Sequence, residues 1–501
     1  MANEARLSKS QYVRGLQCHK SLWLYRNRKD LIPEVPAAKQ MIFDQGHVFG
    51  VLAHQRFPGG TLINEDHLQI TEALTSTKAA LDSGARILYE AGVMHDNVLV
   101  RPDIIIKSKD GKGWDLVEVK SSAGVHDVYL NDVAVQRHVM DGAGLTVRRA
   151  YVMHVNNAYV RKGEIDVKRL FTLSDVTEAT APLVKMVPKH LKAMQEILAI
   201  DGVPAIDIGP QCYDPYPCEF IDHCWEHVPD YSVFDLAGAR FEKKMGLWRK
   251  GIGPIVDIPT GTPLSDTQAI QVAVAKSGRP HVDAPAIATM LDGVSFPRYF
   301  LDFETVNPAI PPYDGLRPFQ KLAFQASVHV QERQGGPIKH EEFLDDGKQD
   351  PRPELISFLV RAIGAKGTVI AYNKGFEGGC LKELAVYDPG RGKQLLSMVG
   401  RLWDLAGPFR SAHYVHPGFE GSWSIKNVLP VLVPGMTYEG MPIHDGAGAQ
   451  VAYLSLMGRQ LPAVEAKTTM ANLRAYCGQD TMAMVEILRF LETLDSERPT
   501  T

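Results

Sequence analysis

Acidic side chains in this chain recur at spacings that suit metal-assisted hydrolysis. The run RPDIII…DLVEVKSS carries Asp103 and, fifteen residues on, Glu118 with Lys120. Residues two apart on a strand face the same side, so Glu118 and Lys120 point together, and a hairpin brings Asp103 beside them. Two carboxylates hold Mg²⁺ or Mn²⁺ through hard oxygens, and the lysine orients or activates an attacking water. The plainer alternative is a polar strand face with one ion pair. A second group lies in the C-terminal half. Asp302 and Glu304 alternate in YFLDFET, Glu377 follows AYNKGF, and Tyr476 and Asp480 stand four apart in YCGQD, on one face of a helix. Four carboxylates converging there suit two metals about 4 Å apart, with Tyr476 placing the water. Asp404, in WDL, reads as a packing or supporting acid.

Cysteines form a third pattern. The chain has 6, and three of them, Cys212, Cys218 and Cys224, fall in CYDPYPCEFIDHCW with five residues between neighbours. Cys18 lies 194 residues before Cys212. Four thiolates suit an iron–sulfur cluster or Zn²⁺, and the wide spacing favours iron–sulfur over the closer pairs of structural zinc sites. A cross-link closing so long a loop would restrict the unfolded chain by roughly 5 kcal/mol, which suits a structural staple. Cys380 and Cys477 sit in helical contexts and read as packing residues.

These residues need elements to hold them. The spacing predicts helices over 7–30 and 44–57. Strands are expected at 98–100, 102–106 and 114–120, with a turn at 108–113, a helix over 127–141 and a strand at 150–153. Strand–strand–helix–strand is an α/β core. Gly and Pro punctuate 228–297 between short helical pieces, so 229–290 is expected to be a helical connector. New strands open at 298–304, 322–330 and 367–372, and a last helix begins near Leu473. The chain is thus expected to be α/β, with domains over 1–228 and 291–501 around that connector.

Length and composition set the limits. A chain of 501 residues exceeds one core. It is 45% hydrophobic and 22% charged, with a net charge of -4, so no global basic field announces nucleic acid. Residues 1–30 are locally basic, with seven Lys or Arg against Glu4 and Asp30. Taken alone this reads as a solvated helix face. Its aromatic neighbours Tyr12, Trp23 and Tyr25 would let it guide a nucleic-acid strand by phosphate contact and stacking. The N-terminus has no apolar signal core, no run of 18 apolar residues is present, and cysteines are sparse, so a cytoplasmic location is expected.

Pro102-Asp103…Glu118-Val119-Lys120 resembles the PD-(D/E)xK nuclease superfamily. Gln136, in VAVQRHV, and Gly50-Val-Leu-Ala-His54 resemble the helix glutamine and metal-binding histidine of its RecB-like branch, with His47 competing for the latter role. Cys18 joined to Cys212, Cys218 and Cys224 is similar to the layout of the CRISPR-associated and AddB-type members. That resemblance implies a 4Fe-4S cluster, although the familiar tail is Cys-x2-Cys-x5-Cys. Asp302/Glu304, Glu377 and Tyr476/Asp480 resemble the DnaQ-like DEDD 3′–5′ exonucleases of RNase H-like fold, with Glu377 where that family has Asp. The whole chain resembles an uncharacterised bacterial family fusing the two. What this implies is a metal-dependent nuclease with two active sites, acting on single-stranded or end-exposed DNA in repair or defence against foreign DNA. The alternatives are a DNA-binding iron–sulfur scaffold with one degenerate site, a redox-sensing iron–sulfur protein, and RNA in place of DNA.

Overall fold

Runs of β-branched and aliphatic residues bounded by turn signals form the two main sheets of the computed structural model, which describes residues 6–66, 68–458 and 461–496. Glu4 lies outside these. The architecture is α/β with mixed sheets. Contacts divide the chain into two compact units, one of residues up to His227 with Pro308–Gln320, the other of Val228–Asn307 with 321 onward.

In the first unit the strands are β1 (Leu7–Ser8), β2 (Thr61–Leu62), β3 (Ile87–Tyr89), β4 (Val93–His95), β5 (Val98–Val100), β6 (Ile104–Lys107), β7 (Trp114–Lys120), β8 (Val147–Val155) and β9 (Phe171–Asp175). The helices are α1 (Lys9–Gln17), α2 (His19–Asn27), α3 (Ala37–His54), α4 (Ile70–Asp82), α5 (Asp127–Gly142), α6 (Val167–Leu170), α7 (Thr177–Leu198) and α8 (Ile221–Trp225). The main sheet runs β2-β3-β6-β7-β8-β9. β6 and β7 are antiparallel, and β7 and β8 are parallel, joined by the α5 crossover. Leu116, Val133, Val139, Ala150 and Val152 share a core on the α5 side, and Phe49, Ile104, Val117 and Met153 share one on the α3 side. β7 is thereby buried on both faces, which is why its charged residues near the C-terminal end face each other rather than water.

The helix expected over 7–30 is instead two. α1 ends at Cys18, whose backbone is extended (φ -159°, ψ 118°), and α2 starts immediately after it. The break turns the Cys18 side chain toward the 212–224 segment. Tyr12 and Trp23 are buried, and the Arg14 guanidinium lies 4.3 Å over the Tyr25 ring. Tyr12 and Trp23 therefore do not stack on a nucleic-acid strand as expected: their rings are already consumed by the core.

In the second unit the strands are β10 (His281–Val282), β11 (Arg298–Val306), β12 (Leu322–Gln331), β13 (Ile338–Leu344), β14 (Thr368–Ala371), β15 (Leu402–Asp404) and β16 (Tyr414–Val415). The helices are α9 (Phe241–Trp248), α10 (Asp266–Ser277), α11 (Ala284–Leu291), α12 (Arg352–Ala362), α13 (Lys374–Tyr387), α14 (Gly392–Gly400), α15 (Gly407–Arg410), α16 (Ile425–Leu432), α17 (Gly446–Met457) and α18 (Ala463–Ser496). The sheet runs β13-β12-β11-β14-β15, its first two pairings antiparallel and its last two parallel. α18 packs on β11 and β12 and starts ten residues earlier than the sequence suggests. Residues 229–290 fall within this unit and have a core of their own around Val233, Leu247, Ile255 and Val272. Gly367 opens β14 at φ +83°, where a Cβ would lie 1.9 Å from the Pro297 carbonyl oxygen.

Candidate functional site

The second unit brings its acids together most closely. Alternation along β11 puts Asp302 and Glu304 on the side that α18 covers, and the helical repeat of α18 presents Asp480 to them. Ligand oxygens of Asp302, Glu304 and Asp480 lie within 4.8 Å of one another. All three carboxyls are raised. Burial is the first cause at Asp302, followed by the charges of Asp480, Glu304 and Glu377. Glu304 is pushed up to about 8 by burial and then by Asp480, with Lys426 opposing. Burial pushes Asp480 up to about 6, less far because Tyr438, Lys426 and Tyr476 favour its ionised form. Asp302, Glu304 and Asp480, with Lys426 opposing at Glu304 and Asp480, form an under-compensated negative pocket, the electrostatic condition a divalent cation relieves.

Glu377, on α13, stands outside that group of three, though its charge is felt at Asp302. Its Oε2 is buried without a hydrogen-bond partner among the described residues, and burial pushes its carboxyl up to about 8. Tyr476 is buried beside Asp480, its phenol held protonated by burial and by the charges of Asp480 and Glu304. Asp404 accepts from Arg410 Nη2 at 2.8 Å and from Ala406 N at 3.2 Å, which leaves it a supporting acid. Three residues of this pocket have no short-range sequence signal. Tyr438 donates to Asp480 Oδ1. Lys426 sits about 6 Å from both the Tyr438 and Tyr476 rings. Cys477, read as packing, is buried but also donates to Asp302 Oδ2 at 3.6 Å.

The first unit assembles a different kind of centre. Val119 N donates to Asp103 Oδ2 at 2.6 Å, so the hairpin does set Asp103 against β7. Lys120 Nζ lies 2.8 Å from Glu118 Oε1 and 2.6 Å from Asp132 Oδ2, and Gln136 Nε2 donates to Glu118 Oε2 at 2.7 Å. Asp132 and Gln136 are four apart on α5, the one sequence clue to Asp132. Lys9, from the start of α1, adds a second ammonium 2.7 Å from Glu118 Oε1. Burial disfavours charge on Glu118, but Lys120 and Lys9 outweigh it and hold the carboxyl well below the usual range. Asp103 is raised, by burial first and then by Glu118.

Lys9, Asp103, Glu118 and Lys120 line a cleft of about 870 Å³ together with His47, His54, Glu90 and Arg101. His54 stacks on Tyr89 with ring centroids 4.1 Å apart, and its imidazole is lowered by burial. Among the described residues, His54, Asp103 and Glu118 are not within mutual ligating distance as Asp302, Glu304 and Asp480 are.

Cys18, Cys212, Cys218 and Cys224 line one cavity, and none is in a disulfide. Polar side chains anchoring this segment include Gln17, whose Nε2 donates to the Gln211 and Tyr216 carbonyls at 2.9 and 2.7 Å, and Arg14, 2.8 Å from Glu219. No three of the sulfurs lie within 4.8 Å of one another among the described residues. A zinc ion with bonds of about 2.3 Å would draw its thiolates to edges of about 3.8 Å. An iron–sulfur cube binds each thiolate through a different iron and so spans a larger tetrahedron. Four free thiols around one cavity are a donor set that either group uses.

Comparison with known proteins adds little about chemistry. Residues 299–424 match a domain of unknown function, DUF2779. That stretch contains Asp302, Glu304 and Glu377 but ends before Tyr476 and Asp480. An uncharacterized protein of Ureaplasma parvum serovar 3 is 25% identical over 234 residues, 40% of this chain and 32% of that protein. An uncharacterized protein of Mycoplasma pneumoniae is 24% identical over 213 residues, 39% of this chain and 32% of its own length. The chain thus spans about a third of the length of the curated relatives it matches. No helix among the described residues is long and apolar enough to cross a membrane.

Proposed function

We propose that this protein is a metal-dependent DNA nuclease whose principal centre is the acidic pocket of β11 and α18. The observation that carries the reading is the convergence of buried Glu304 with half-buried Asp302 and Asp480, ligand oxygens within 4.8 Å. In this reading the three carboxylates hold Mg²⁺ or Mn²⁺, and the unpartnered Oε2 of Glu377 is available to complete the set. When bound, the metal supplies Lewis-acid stabilisation of charge on the phosphate and a more acidic water. Tyr438 fixes the orientation of Asp480, and the Tyr476 phenol, kept protonated, orients the attacking water. The antiparallel-then-parallel strand order supports an RNase H-like fold and, with the motif order, 3′–5′ exonuclease action.

The first unit supports a second, PD-(D/E)xK-type site. Asp103 and Glu118 would serve as metal ligands with His54, Lys120 would position water, and Gln136 would hold Glu118. The four cysteines would carry a 4Fe-4S cluster stapling α1 and α2 to the 212–224 segment. The competing reading, a DNA-binding scaffold with a spoiled second site, draws on Glu377, whose oxygens stand outside the ligand group.

Cleavage of end-labelled single-stranded DNA with Mg²⁺ or Mn²⁺ tests these readings, using anaerobically purified wild type, Lys120→Ala and Asp302→Ala. If each substitution removes a different product pattern, both sites act. Loss of all cleavage with Lys120→Ala and none with Asp302→Ala refutes the principal centre. Binding without cleavage under either metal leaves the scaffold.

A further inference from the structure

Lys9 belongs to no motif, yet it sits at the heart of the first centre. Its position is built. β1 pairs in parallel with β5, and Ser8 caps α1 by accepting from Gln11 N while Gln11 Oε1 accepts from Ser8 N. Lys9 is therefore held as the first residue of α1, aimed at β7. Its ammonium lies 2.7 Å from Glu118 Oε1 and 3.4 Å from Asp132 Oδ1. Lys120 contacts the same Glu118 oxygen and the other oxygen of Asp132, at 2.8 and 2.6 Å. Gln136 holds the remaining oxygen of Glu118. Two ammonium groups thus bridge two buried carboxylates, and both oxygens of Glu118 are taken.

One lysine is enough to position water, and the other stands where a cation would have to bind. We propose that Lys9 is a built-in counter-ion that occupies the divalent-cation position at Glu118 and must be displaced for Mg²⁺ or Mn²⁺ to bind there. This rests on the reading of Asp103, Glu118 and Lys120 as a metal-dependent centre. The cleft gives the displaced side chain somewhere to go: Lys9 is one of its lining residues, and Glu90, an acid that also lines it and feels the Lys9 charge, is an alternative partner. The contrast with the second unit is direct. Asp302, Glu304 and Asp480 have no ammonium bridging them among the described residues and present an open demand for cations. The first site then requires a higher metal concentration than the second, and α1, which runs from Lys9 to the residue before Cys18, sets the reach of the ammonium.

The test is Mn²⁺ binding followed by electron paramagnetic resonance on the full chain. Asp302→Asn and Asp480→Asn serve as the background, and only binding that Glu118→Gln removes is read as the first site's. Lys9→Met is expected to tighten Mn²⁺ binding on the order of tenfold or more, because a like charge no longer opposes the ion. Lys9→Arg stays near the parent, and Glu118→Gln abolishes binding. Lys9→Gln, which keeps a donor and removes the charge, gives the same direction if Lys9→Met does not fold. Equal or weaker binding in Lys9→Met and Lys9→Gln, with Glu118→Gln still abolishing it, overturns the role of Lys9 alone. Absence of Glu118-dependent binding in every variant overturns the metal reading of the site, and the role of Lys9 with it.

Discussion

Glu304→Gln separates a metal-binding carboxylate from a structural one. In the metal-free chain Glu304 is pushed from 4.5 to about 8, so across that window the folded protein holds a proton that the unfolded chain releases. The unfolded state then binds fewer protons, and the stability contributed by this group falls as pH rises from 4.5 to 8. At about 1.36 kcal/mol per pH unit, the loss by pH 7 is roughly 3 kcal/mol. Glutamine keeps the shape and cannot ionise, but its buried amide costs about 1–2 kcal/mol without a dedicated partner. The variant is therefore expected to be more stable than wild type by about 1–2 kcal/mol at pH 7, and less stable by a similar amount near pH 4.5. Hydrogen exchange of peptides from β11 and α18 in EDTA, corrected for intrinsic rates, reads this locally. Mn²⁺ should then protect those peptides strongly in wild type and weakly in Glu304→Gln. A stability difference that does not change with pH, or one that changes in the opposite sense, refutes the account of an under-compensated pocket.

Two further outcomes follow from the same structure. Cys218→Ser is expected to lose bound iron and sulfide, with hydrogen-exchange protection falling in α1 and the 212–224 segment and unchanged in β11 and α18; retention of a full complement of iron sinks the cluster assignment. Gly367→Ala places a side chain at φ +83° and against the Pro297 carbonyl, and should lower the stability of the second unit by about 2–4 kcal/mol in thermal unfolding.

What the sequence by itself determined is local. Alternation along a strand places Asp302 with Glu304 and Glu118 with Lys120. The helical repeat places Tyr476 with Asp480. Three evenly spaced cysteines gather in one segment, and with Cys18 they line one cavity. Each inference needs only the period of one element, and the backbone geometry enforces that period wherever the element lies. The boundaries were less legible, because α1 ends at Cys18 within a pattern that reads as continuous helix. The charge count over 1–30 is correct, but it could not tell that Lys9 turns inward, that Arg14 pairs with Glu219, or that Tyr12 and Trp23 are core residues.

Only the tertiary structure decided which faces meet. Lys9 reaches Glu118 across 109 residues, Cys477 reaches Asp302 across 175, and Tyr438 reaches Asp480 across 42. No periodicity relates such positions. They are brought together because apolar faces must be buried: α1 against α5 and α5 against β8 in one unit, α18 against β11 and β12 in the other. The polar residues at the ends of those faces are carried into contact by that burial. The same packing decides their electrostatics, leaving Glu118 compensated by two ammonium groups and Glu304 pushed toward neutrality, although both are glutamates on buried strands.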